Sequence, residues 1–150
     1  MTGSLLIAAG ILALPLLAVA GAAWARRNLT LITVIGNSMR PAFADGDRLL
    51  ISRRARYAAG DVIMFRAPEP VSHSIGWLVK RAVAMPGDPV PDDLIDRVGA
   101  GVVPAGQLLV RSDTLGGVDS RQFGLISASD VMGVVRRRRR FPAGGPAGPG

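Results

Sequence analysis

The chain has 150 residues, no cysteine, and a formal charge of +7, five units of which belong to the single run Arg136–Arg140, leaving +2 for the rest. That length allows one modest domain. The missing cysteines exclude disulfides, zinc–cysteine sites and thiol catalysis, and fit either redox compartment.

From the N-terminus, Leu5–Trp24 reads LLIAAGILALPLLAVAGAAW, 20 residues without a charge. As a helix it spans about 30 Å, the thickness of a bilayer's hydrocarbon core. Pro15 is tolerated there as a kink, Trp24 suits the interface, and Arg26 and Arg27 suit the water beyond it. A cleaved secretory signal is the alternative, with a small-x-small site at Ala18–Ala20. It fits less well, because the n-region has no Lys or Arg and the apolar run is long. Residues 1–27 therefore read as a retained transmembrane anchor. By charge alone the two arginines would keep the chain's remainder in the cytoplasm.

Residues 28–135 hold short, β-branched apolar runs broken by Gly, Pro and Asp. Strands are expected at Leu29–Ile35, Arg48–Ser52, Asp61–Ala67, Gly76–Met85, Gln107–Ser112 and Asp130–Arg136. The turn signals ADGD, AAGD, MPGD and PAG separate them. The spacing predicts a mostly-β domain, barrel-like or sandwich-like. Residues 136–150 combine the arginine run with FPAGGPAGPG, too poor in apolar side chains to build a core, and read as a basic disordered tail. Its partner is anionic lipid or solvent rather than nucleic acid, which is not expected as a ligand.

Chemistry concentrates in GNSMRPAFADGD, Gly36–Asp47. A serine hydroxyl needs a neighbouring base to take its proton. His73, the one histidine, has no acid in its segment placed to orient it and reads as a loop residue. The other candidate is Lys80, the one lysine among 18 basic residues. In strand alternation it shares a face with Ala82 and Ala84, where burial disfavours the charged amine. An arginine could not serve, because it stays protonated; taken by itself, however, Lys80 reads as a surface cation. Asp92, Asp93 and Asp96 read as a solvated loop, and Phe43, Trp77 and Leu78 as core at least as readily as a membrane-dipping surface.

Four blocks in order, GNSMRPAFADGDRLLI, GDVIMFRAP, KRAVAMPGD and SDTLGGVDSRQFGLI, resemble type I signal peptidases from Ile35 to about Val135. The resemblance implies a compact β-domain behind one N-terminal transmembrane helix. It implies endoproteolysis of exported preproteins or prepeptides after a small-x-small sequence, with no metal or cofactor, at a bilayer surface on the extracytoplasmic side. That placement overrides the two-arginine orientation signal. Ser38 corresponds to the nucleophile, whose backbone N–H would also serve the oxyanion, and Lys80 to the general base. Met39 falls beside the cleft for small substrate side chains. Asp119 and Arg121, at i and i+2, would share a strand face and pair with each other and with Arg81 in support of the lysine.

The chain departs from the family's pattern in three places. Gly36 replaces a serine that assists the oxyanion in some relatives, leaving backbone groups for that task. Gly117 stands where relatives often carry a small polar residue that hydrogen-bonds the lysine; Ser120 or a backbone carbonyl is the expected substitute. Ser112-Asp113-Thr114 replaces an expected Gly-Asp-Asn. The segment after Lys80 is short, so this is a reduced catalytic core. Narrower or different readings are a maturation protease for one or few precursors, a self-cleaving repressor-type Ser/Lys protease, and a catalytically inactive membrane-anchored binding module. No helical DNA-binding region precedes Ser38, which disfavours the repressor type.

Overall fold

A computed structural model describes residues 2–139 apart from 54, 70 and 74, with backbone alone for residues 2–12, 73 and 137–139. Helix α1 (Thr2–Asn28) contains Pro15 and runs directly into the first strand. The Asn28 side-chain amide donates back to the Trp24 carbonyl at 2.8 Å, adding a side-chain bond across the last turn. Among the described residues no helix is long and apolar enough to cross a membrane. The anchor expected over Leu5–Trp24 draws on side chains 5–12, which lie outside the described residues.

Seven antiparallel strands follow: β1 (Leu29–Thr33), β2 (Arg48–Ser52), β3 (Val62–Arg66), β4 (Trp77–Ala84), β5 (Gln107–Arg111), β6 (Ile126–Ser127) and β7 (Val131–Arg139). Their order is β1-β2-β7-β3-β4-β5-β6. The domain is mostly β, as expected; five strands fall within the predicted runs, and β7 covers most of the sixth and overruns it by three residues. Two four-residue helices, α2 (Ile95–Val98) and α3 (Ser120–Phe123), lie in the connections. The two-residue β6 is too short to show alternation in sequence.

β3 lies mid-sheet and buries four consecutive residues, Val62–Phe65, which explains its unbroken apolar run. Ile63 and Phe65 join Leu78, Ala82, Leu108, Val110 and Val134 in the main core, with Phe65 edge-on to Phe123. Met64 belongs to a second cluster with Leu49 and Ile51, against which Ile32, Val34, Phe43 and Val79 pack. Phe43 is thus a core-flanking residue and Leu78 is buried, whereas Trp77 is exposed under the Arg66 guanidinium.

β7 corrects the boundary of the tail. The strand continues through Arg139, and the backbones of Arg137, Arg138 and Arg139 pair with Leu50, Leu49 and Arg48. Strand pairing is a backbone property, and β2 offers an open edge out to Arg48; an unbranched arginine does not oppose it. A register shift between Leu50 and Ile51 absorbs the extra residue. Residues 140–150, the remainder of the expected tail, lie outside the described residues.

Candidate active site

The site forms where the loop after β1 meets β4 and the loop after β5. Gly36 turns the first loop with φ +93°, a conformation that favours glycine, and its N–H donates to Asp45 Oδ1 at 2.6 Å. Asp45 N–H in turn donates to Asn37 Oδ1 at 3.3 Å, and Val34 N–H to the Asp47 carbonyl at 2.8 Å. The ADGD turn therefore fastens the loop that carries Ser38. From the far side, Thr114 fixes the Ser38 carbonyl through its N–H at 3.1 Å and its hydroxyl at 3.2 Å.

Lys80 falls on the buried face of β4 with Leu78, Ala82 and Ala84, as the alternation predicted. It is 2% exposed. Its Nζ lies 2.8 Å from Ser38 Oγ and 2.8 Å from Ser112 Oγ. Burial pulls its pKa below the ordinary lysine value; Asp119 and Asp113 oppose this by attraction, and Arg121 adds to it by repulsion. The structure thus brings together a half-buried hydroxyl and a buried amine.

A cavity of about 570 Å³ opens at this pair, lined among others by Ile35, Ser38, Met39, Met64, Val79 and Lys80. Met39 is buried in its wall. Ile35, Ile75, Trp77 and Val118 sit on the same lining and are exposed apolar residues. The lining is mostly apolar, with Ser38 and Lys80 among its few polar groups, the make-up of a ligand-binding cleft.

The supporting residues depart from expectation in three ways. Asp119 and Arg121 do pair, Nε to Oδ1 at 2.9 Å and Nη2 to Oδ2 at 2.7 Å, but not across a strand face. Asp119 is the N-cap of α3: it accepts from Arg121 N–H, and Gln122 answers by accepting from Asp119 N–H. The local hydrogen bonds of an Asp-x-x-Gln capping box outcompete the extended form, and that spacing is legible in the sequence. Arg81 pairs instead with Asp113, Nε to Oδ1 at 2.8 Å and Nη2 to Oδ2 at 2.7 Å, because β4 and β5 set Arg81 opposite Arg111, two residues before that acid. Ser120 is buried and its Oγ accepts from Val110 N–H at 2.9 Å, so it braces α3 on β5 and does not orient the lysine.

Ser112 is the residue missed in the sequence. Its backbone N–H donates to Asp119 Oδ2 at 2.8 Å, and Asp119 has no solvent exposure. Burial pushes the Asp119 carboxyl up, but the bonds from the Arg121 guanidinium, Ser112 N–H and Arg121 N–H outweigh it and hold the pKa below the ordinary aspartate value. A fixed carboxylate therefore anchors the backbone that carries the Ser112 hydroxyl. The signal was the departure Ser-Asp-Thr itself, which puts a serine where a glycine was expected. Asp92, Asp93 and Asp96 are exposed, with Asp93 paired to Arg111. The side chain of His73 lies outside the described residues.

No curated protein matches the chain. Residues 6–93 match the family described as signal peptidase, peptidase S26. The matched range includes Ser38 and Lys80 and ends before Ser112.

Proposed function

The chain belongs to the signal peptidase family, peptidase S26, and we propose that it is a membrane-anchored serine endopeptidase that removes leader peptides from exported precursors with a Ser38/Lys80 dyad. The observation that carries the reading is the 2.8 Å contact between Lys80 Nζ and Ser38 Oγ at the end of an apolar cavity. A hydrogen-bond contact of this length is what proton abstraction by a general base needs.

In the proposed cycle the neutral Lys80 amine takes the Ser38 proton as Oγ attacks the scissile carbonyl carbon. The Ser38 backbone N–H donates to the oxyanion that develops. Collapse of the tetrahedral species breaks the C–N bond, the lysine ammonium returns its proton to the leaving amine, and an acyl-enzyme remains. A water, deprotonated by the same amine, attacks the ester and frees the leader peptide while Ser38 regains its proton. The apolar lining supports selection of small side chains before the scissile bond, and the exposed Ile35 and Trp77 support work at a lipid surface. The uncharged run at Leu5–Trp24 supports a single-pass anchor, with the catalytic domain on the exported side of the membrane.

The test is cleavage of a precursor carrying a small-x-small site by the full chain in detergent. Cleavage by the parent that disappears in both Ser38→Ala and Lys80→Ala supports the dyad. A parent that cuts nothing while still capturing precursor, with capture surviving both changes, would favour the inactive binding module.

A further inference from the structure

We propose that Ser112 is the positioning residue for the Lys80 amine, and that Ser112 and Gly117 form an exchangeable pair in which the hydroxyl at 112 occupies space that only glycine at 117 leaves free. The proposal rests on the peptidase reading for its consequence in catalysis, but its geometry is independent of that reading.

A buried ammonium has three N–H groups to satisfy and a neutral amine has two plus a lone pair. Ser38 Oγ and Ser112 Oγ stand at the amine, both at 2.8 Å. If Ser38 is the group that reacts, Ser112 is the contact that stays, holding the nitrogen while the proton moves. Its own placement is rigid, since Asp119 grips its N–H and Arg121 grips Asp119. Ser112 and Gly117 are both absent from the cavity lining, so their changes need not alter substrate contacts directly.

Gly117 explains why the hydroxyl comes from this position. A Cβ at residue 117 would sit 2.1 Å from Ser112 Oγ and 2.5 Å from its Cβ, and 3.1 Å from the Ser38 Cβ. The first two distances are overlaps, so a side chain at 117 and the Ser112 side chain exclude each other. Remove the Ser112 side chain and both overlaps go, leaving of these three contacts the one to Ser38, tight by a few tenths of an ångström. A serine at 117 would then carry its hydroxyl into the vacated space beside the amine. One hydroxyl at this corner, supplied from either of two chain positions, meets the same need.

Lys80 is the one lysine in the chain, so uniform ¹³Cε-lysine labelling of the full chain gives one resonance whose titration reads this amine directly. Ser112→Ala removes an acceptor that favours the charged form, and its titration midpoint should fall below the parent's. Cleavage should drop with it, by roughly 10- to 100-fold in kcat with KM little changed, a part of what a general base contributes. Gly117→Ser alone should lose cleavage through overlap. Ser112→Gly combined with Gly117→Ser should move both titration and kcat back toward the parent. A parent-like titration together with parent-like cleavage in Ser112→Ala would overturn the positioning role. A double variant no better than Ser112→Gly alone would overturn the exchange. If the parent cleaves nothing but the lysine resonance shifts as described, the placement stands and the peptidase reading is what fails.

Discussion

Asp119 receives the Arg121 guanidinium at two points, 2.9 and 2.7 Å, and does so with no solvent exposure of its own. The same carboxylate takes two backbone N–H groups, from Arg121 and Ser112. One buried charge thus joins a helix N-cap, a side-chain cation and the strand end that faces Lys80. Asp119→Asn keeps the shape but turns an NH₂ toward groups that all donate. The expected cost is about 3 kcal/mol of stability, the scale for breaking a buried ionic pair. Chemical denaturation of parent and variant reads it, and a loss below about 1 kcal/mol would mean the carboxylate is not the organising group.

The acid limb of the stability profile follows from the same residue. Its folded pKa is depressed, so its contribution is present above the unfolded aspartate value of about 3.9 and is lost as pH falls through the lower folded value. Parent protein should lose stability across that interval more steeply than Asp119→Asn, whose side chain does not titrate. Melting temperatures recorded between roughly pH 5 and pH 2 check the difference.

Much of this architecture is legible in the sequence, and the limits have physical causes. Runs such as DVIMFRA reveal strands because a strand buried on both faces must be apolar throughout. Lys80 alone reads as a surface cation and stands out only beside the Ser38 segment and the blocks that follow it; its burial depends on the sheet it joins. Asp119–Arg121 was misread because spacing i, i+2 suits a strand face, while the capping glutamine one residue later goes unnoticed. The partner of Arg81 depends on the β4–β5 register, which no local pattern encodes. Ser112 is legible only as a departure, a serine where a glycine was expected; that its hydroxyl reaches the Lys80 amine beside Gly117 depends on the fold.

Burial of Lys80 sets the alkaline side. In the proposed cycle cleavage needs the neutral amine, so kcat/KM should rise with pH through an apparent pKa below the ordinary lysine value of about 10.4. Stability moves in the same sense. A lysine whose folded pKa is lowered binds fewer protons folded than unfolded between the two values, so its penalty is full below the folded pKa and fades as pH rises toward the unfolded one. Lys80→Met should therefore abolish cleavage yet melt higher than the parent at neutral pH, with the advantage narrowing as pH rises toward the unfolded lysine value of about 10.4. A variant that melts lower at every pH would show that the amine's hydrogen bonds outweigh its desolvation. Lys80→Arg should be as inactive as Lys80→Met, because a guanidinium does not give up its proton.

Gly133 tests how β7 reaches its neighbour. A Cβ there would come within 2.4 Å of the Ser52 carbonyl oxygen, a backbone atom with little freedom to withdraw. Gly133→Ala must push β7 from β2 next to the β3 pairing at Met64. Overpacking of this kind costs about 1–3 kcal/mol, and the melting midpoint should drop by several degrees. Cleavage at a temperature where the variant stays folded should be nearly unchanged, since Ser38, Lys80 and Ser112 lie on other segments.

Met39 links the cavity wall to substrate choice. It is adjacent to Ser38, the proposed nucleophile, 2% exposed, and part of the cavity lining. Shortening it to alanine opens volume beside the reacting hydroxyl without touching the amine. Precursors with leucine in place of alanine just before the scissile bond should then gain in kcat/KM relative to the alanine substrate, by about 10-fold or more, the scale on which pockets discriminate added methylenes. The protein should lose about 2–5 kcal/mol of stability from the cavity, so the ratio of the two substrates, not the absolute rate, carries the result. An unchanged ratio would place the specificity-determining wall elsewhere in the lining, with Met64 and Val79 the next side chains to shorten.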